Sequence, residues 1–86
     1  MKFKATVRVV LKPSVLDPQG IALERALKSM GGESVSSVRV GKIIEIILDG
    51  SNESEIKDLV NKWADQLLAN PNMETYSLEL VHVHEA

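Results

Sequence analysis

Cysteine is absent from all 86 residues, which excludes disulfides, iron–sulfur clusters, thiolate zinc sites and thiol catalysis. Aromatic residues make up only 3% of the chain, too few for a sheet that stacks RNA bases on its strands. Neither sign of charge dominates: 10 basic residues face 12 acidic ones, for a net charge of −2. That balance offers no basic stripe to nucleic acid. No apolar run approaches the ~20 residues of a membrane span, and the chain opens on an alternating pattern rather than a signal peptide's apolar core. The expectation is a cytoplasmic protein with no membrane and no nucleic-acid partner. One domain over residues 1–86 follows from the length, and such a chain buries only about 60–65% of its unfolded surface, which favours oligomerisation. Apolar residues at 44% suit a folded globule and argue against disorder.

What is present is patterned. Phe3, Ala5, Val7, Val9 and Leu11 alternate with Lys2, Lys4, Thr6, Arg8 and Val10, the period of two of a half-buried strand. Leu23, Ala26, Leu27 and Met30 fall at helical spacing, and Gly31-Gly32 predicts the helix's C-terminal stop. Residues 34–49 are rich in Val and Ile and interrupted by Gly41; they read as two strands joined by a tight turn, or as one long bent strand. Asn52 with Glu55 resembles a capping box. It opens a second helix whose Ile56, Leu59, Val60, Trp63, Leu67 and Leu68 share one face, with Asn70-Pro71 as its end. A last strand begins at Tyr76 and runs to about His84. The order β-α-β-β-α-β predicts an α+β, ferredoxin-like antiparallel sheet with both helices on one face.

The other face of that sheet should be polar, yet Val10, Ile43, Ile47, Val81 and Val83 spread apolar surface over both faces. No third helix exists to cover it, so these five residues are expected to form an oligomer interface in a homodimer or homotetramer. If residues 34–49 form one long strand, it could instead pass between subunits as a swapped segment.

Catalytic equipment is sparse. His82-Val83-His84 places two imidazoles on one strand with only Glu85 nearby, short of the three or four ligands that a metal site needs. Arg39-Val40-Gly41-Lys42 reads as a phosphate contact, a partner contact or a plain hairpin turn, and lacks the glycine-rich turn of a nucleotide loop. Trp63 belongs to the core stripe of its helix. With no recognisable nucleophile–base–orienter set, no metal site and no catalytic residue are expected on this chain.

The most informative stretch is Leu11-Lys12-Pro13-Ser14-Val15-Leu16-Asp17-Pro18-Gln19-Gly20. Pro13 and Pro18 fix φ near −65° and remove donors, so this loop is stiff. Asp17 is placed to cap a helix whose first position is Pro18. Val38-Arg39-Val40-Gly41-Lys42 and Leu67-Leu68-Ala69-Asn70-Pro71, followed by Glu74 and Tyr76, are two further motifs. In this order and spacing, over the whole length, the three resemble the PurS family, the small subunit of phosphoribosylformylglycinamidine (FGAM) synthase. Ser14, where the family commonly has glycine, and Asn72 depart from its pattern, both in loops.

The resemblance implies a purine-biosynthetic ligase that converts formylglycinamide ribonucleotide, ATP and glutamine to formylglycinamidine ribonucleotide. It implies a large synthetase subunit that holds ATP and magnesium, a glutaminase subunit that releases ammonia, and a small non-catalytic subunit bridging them and helping to seal ammonia transfer. This chain would hold no cofactor of its own. The residues expected to meet partner subunits are Lys12, Val15, Leu16, Asp17, Gln19, Arg39 and Lys42. The rival reading is a stand-alone ferredoxin-like regulatory module that binds a small metabolite at a dimer interface.

Overall fold

A computed structural model describes residues 1–83. Strand β1 (Lys2–Leu11) is central, flanked antiparallel by β2 (Gly41–Asp49) and β3 (Glu74–Val83) in the order β2-β1-β3. Helix α1 (Pro18–Ser29) lies between β1 and β2 in sequence, and α2 (Glu53–Trp63) between β2 and β3. The antiparallel α+β sheet with two helices is therefore present.

Alternation in β1 sorts the two faces. Phe3, Ala5, Val7 and Val9 are at most 2% exposed. Val7 stands between Ile44 and Leu78, and Ala5 between Ile46 and Leu80, so a continuous apolar layer crosses all three strands. Ile56, Val60 and Ala64 close over it from the α2 side. These buried side chains form one core, each Val, Ile or Phe contributing about 1.5–3 kcal/mol of transfer free energy.

The end of α2 departs from the sequence pattern. Residues Ala64–Leu68 continue the helix as a π-turn, in which the Ala69 N–H donates to the Ala64 carbonyl at 2.9 Å. The wider turn rotates the apolar face relative to a regular 3.6-residue period. Leu68 and Ala69 are thereby brought to the core, while Leu67 is left 80% exposed; Leu59 and Trp63 sit at the rim rather than inside. Asn52 caps α2 as expected, its Oδ1 accepting from the N–H groups of Ser54 and Glu55.

Two further expectations change. Pairing in the stretch 34–49 begins only at Gly41, so among the described residues the sheet has three strands. β1 ends at Leu11, and among the described residues no strand pairs with residues 34–40. The Val40 N–H there donates instead to the Asp17 carboxylate, and the Val35 N–H to the Gly32 carbonyl. Helix α1 also does not deliver its apolar stripe to the core. Gly20 is its one buried residue, and Leu23, Leu27 and Met30 are 48%, 41% and 82% exposed. The helix stops where the sequence says, at Gly31 with φ +95°, where Gly31 and Gly32 N–H groups return to the carbonyls of Lys28 and Leu27.

The protomer is consequently open. Its radius of gyration is 16.8 Å, against about 12 Å for a closed domain of this length. The strand register places Val10, Ile43, Ile47, Val81 and Val83 together on the face turned away from α2. Charged pairs share that face: Lys4 with Glu45 at 3.3 Å and Arg8 with Glu79 at 3.5 Å.

Candidate functional site

Three distant sequence motifs meet at the C-terminal end of β1. The first is the stiff loop. After Leu11 the chain reverses in a tight turn closed by the Val15 N–H on the Lys12 carbonyl at 2.9 Å. Asp17 then caps α1, its Oδ1 accepting from the Gly20 N–H at 2.9 Å, as the sequence predicts. Its second oxygen does something that the sequence does not reveal. Oδ2 accepts from the Val40 N–H at 2.8 Å, so one carboxylate ties the start of α1 to the approach of β2. Gly20 makes that approach possible, because a Cβ there would collide with the Val38 carbonyl oxygen.

The second motif completes the tie from the other side. Nη2 of Arg39 donates to the carbonyls of Leu11 and Lys12 at 3.0 and 2.6 Å, and Nη1 donates to the Val15 carbonyl at 3.3 Å. The guanidinium thus fastens the loop it faces. The third motif forms the floor. Asn70 closes a turn in which its carbonyl accepts from Met73 and Glu74 N–H groups, its Oδ1 accepts from the Asn72 N–H, and its own N–H donates to Glu74 Oε1 at 2.7 Å. Lys12 N–H donates to the Met73 carbonyl at 2.8 Å, which joins this turn to the loop. The Asn-Pro pair carried the signal for a turn; its link to Lys12 is long-range and left no trace in the spacing.

The candidate partner residues therefore separate. Asp17 is only 5% exposed, and Arg39 is occupied by backbone carbonyls. Leu16, 71% exposed, and Gln19 face outward, while Val15 is half-buried. Lys42 lines a different recess from Arg39, so the two cations do not converge as a phosphate clamp. Lys12 borders a third recess of about 330 Å³ with Asp65, Glu74 and Tyr76. Burial there, reinforced by the Asp65 carboxylate, raises the Tyr76 phenol above its ordinary value of 10.0, and its hydroxyl lies 3.3 Å from both Asn61 oxygens. Among the described residues, no three His, Cys, Asp or Glu side chains are grouped to hold a metal. His82 turns its ring toward Phe3 at 5.3 Å between centroids, and His84 lies outside the described residues.

Hydrogen bonds from Val40 and Gly20, aided by the charge of Arg39, hold Asp17 below its ordinary value of 3.8 against the opposing effect of burial. A lowered native pKa means that this bonding stabilises the fold at neutral pH. The contribution is lost as pH falls from 3.8 through the lower native value. Asp17→Ala should lower the melting temperature at pH 7 by about 4–8 °C, the effect of losing one helix cap in a domain this small. It should also flatten the decline in melting temperature below about pH 4. Thermal melts followed by circular dichroism across that range read both effects.

The fold is an open antiparallel α+β sheet with two helices, and the polar side chains of its three motifs fasten its own backbone. Residues 4–82 match the family model described as PurS: Phosphoribosylformylglycinamidine (FGAM) synthase. The chain belongs to the PurS family of FGAM synthase subunits. It is 42% identical over 81 residues to the synthase subunit PurS of Bacillus subtilis, covering 94% of this chain and 95% of that protein. Its structure is similar to Thermus thermophilus PurS, with a TM-score of 0.86, 41% identity, and 98% and 100% of the two chains covered. It is likewise similar to a chain of PurLQS from Thermotoga maritima, with a TM-score of 0.85, 31% identity, and 94% and 99% covered.

Proposed function

We propose that this chain is the non-catalytic small subunit that bridges the large synthetase and glutaminase subunits of FGAM synthase and helps seal ammonia transfer between them. The observation that carries the reading is the junction at the end of β1. Its most distinctive polar residues, Asp17, Arg39, Asn70 and Glu74, all bond to this chain's own backbone. Such residues build a rigid surface instead of reacting with substrate. A chain of similar fold occurs in PurLQS of Thermotoga maritima, which supports a multi-subunit setting. ATP and magnesium belong on the large partner in this reading, and the cytoplasm is its setting; no described helix is long and apolar enough to cross a membrane.

Sealing has a chemical purpose. Ammonia near neutral pH is mostly protonated, and ammonium is not a nucleophile, so a water-excluded path preserves the reactive form. The open protomer also points to self-association. Two apolar surfaces lack cover, the Leu23–Leu27 stripe of α1 and the sheet face bearing Ile43, Ile47 and Val81, and a second copy supplies both partners at once. A stand-alone regulatory module would explain the open face but not the match of three motifs. Tagged chain mixed with the two partner subunits, ATP and glutamine should retain both partners on resin. Retention of neither overturns the bridging reading.

A further inference from the structure

Residues 12–40 leave the sheet after Leu11 and return to it at Gly41. No residue of α1 is among the apolar side chains that form the core or pack against it. The ten residues of β1 span about 33 Å, whereas the protomer extends over 51 Å, a length that the sheet alone does not reach. Among the described residues, the hydrogen bonds from this excursion to the rest of the chain lie at its root. They are those of the Lys12 N–H with the Met73 carbonyl and of Arg39 with the Leu11 carbonyl.

Inside the excursion the backbone is tied to itself. The Gly32 N–H returns to Leu27 at the end of α1, and the Val35 N–H to Gly32. Its two ends are stapled across a neck. Asp17 Oδ2 accepts from the Val40 N–H at 2.8 Å, and Arg39 donates to the carbonyls of Leu11, Lys12 and Val15. A planar guanidinium can serve acceptors in several directions at once, which one ammonium cannot. Gly20 lets α1 sit against the returning chain, because a Cβ there would collide with the Val38 carbonyl oxygen. The position of α1 is therefore set at the neck and not by packing on the core.

We infer that Asp17 and Arg39 form a conformational latch. Closed, it fixes residues 12–40 as one arm at a set angle to the sheet. Open, it frees α1 to swing while the sheet and α2 stay folded, since the core holds no α1 side chain. The inference concerns the isolated chain and stands apart from the bridging reading.

The chain has no cysteine, so Arg25→Cys on α1 and Lys57→Cys on α2, both exposed positions, accept spin labels at these two sites alone. The doubly labelled chain, diluted into unlabelled chain, reports the distance within one protomer by pulsed electron resonance. The otherwise unaltered chain should give one narrow distance distribution. Arg39→Ala, which removes three charge-assisted bonds, should raise the ratio of open to closed arms about a hundredfold and broaden the distribution. Arg39→Lys should fall between the two. Gly20→Ala should broaden it as well, although alanine favours the helix itself, because the new Cβ wedges α1 away from Val38. Combining Arg39→Ala with Gly20→Ala should add little, since both open the same latch. Emission from Trp63, the single tryptophan and part of α2, should stay unchanged in every variant.

A broad distribution in the chain with Asp17, Gly20 and Arg39 intact overturns the inference, since the latch would then hold nothing. Narrow distributions in both Arg39→Ala and Gly20→Ala overturn it too, and show that another surface, such as a second copy, holds α1. Broadening accompanied by a shift in Trp63 emission also overturns it, because the arm would then not move apart from the body.

Discussion

Val81→Lys is expected to split the assembled protein into smaller species while leaving the protomer folded. Val81 lies on the open sheet face, directly across from Lys4, with Ile47 on the far side of the same row. The two apolar residues are 48% and 57% exposed in the protomer, so little is lost from its own core when Val81 changes. A lysine there adds like charge opposite Lys4, an effect of about 0.2–1 kcal/mol within the sheet. Enclosed at an interface without a partner, the same charge costs about 3–5 kcal/mol, and a two-fold contact would carry it twice. Light scattering should report the smaller mass, and circular dichroism an unchanged spectrum. Unchanged size and stability for both Val81→Lys and Val83→Lys would exclude this face and leave the Leu23–Leu27 stripe of α1 as the contact.

How far the sequence could be read depended on whether each residue's environment lay nearby in the chain. The alternation of Phe3 to Val9 was legible because a strand's faces are set by its own period, and the register then assigned Val10, Ile43, Ile47, Val81 and Val83 to one side together. The cap by Asp17, the stop at Gly31 and the cap by Asn52 were legible for the same reason. Leu67 was misplaced because a helical wheel assumes 3.6 residues per turn, and the π-turn at Ala64–Leu68 breaks that assumption without a distinctive residue to announce it. Helix α1 has an apolar stripe suited to a core, yet the surface it would cover is not in this protomer. Periodicity shows that a face seeks burial, not which chain supplies it.

The candidate site divided in the same way. The motifs marked the right segments, and the structure brings all three to one end of β1. Their roles were hidden in contacts more than twenty positions apart. Asp17 read as a local cap, but half of its carboxylate serves Val40; Arg39 read as a phosphate contact, a partner contact or part of a hairpin turn, but its guanidinium bonds to the loop's carbonyls. Among the candidate residues, Leu16, Gln19 and Lys42 are exposed and take no part in this fastening.

Nitrogen-source kinetics test most directly whether this chain contributes assembly and a sealed path rather than chemistry. Synthesis of formylglycinamidine ribonucleotide should be measured with the large and glutaminase subunits, with and without this chain, once with glutamine and once with high free ammonia. Omitting the chain should lower the glutamine-dependent rate by roughly 10²-fold, the scale of advantage that holding two sites together confers. The ammonia-dependent rate should change by less than about twofold, since the synthetase's own barrier is untouched. The isolated chain should turn over nothing. Equal losses with both nitrogen sources, or turnover by the chain alone, would contradict the account.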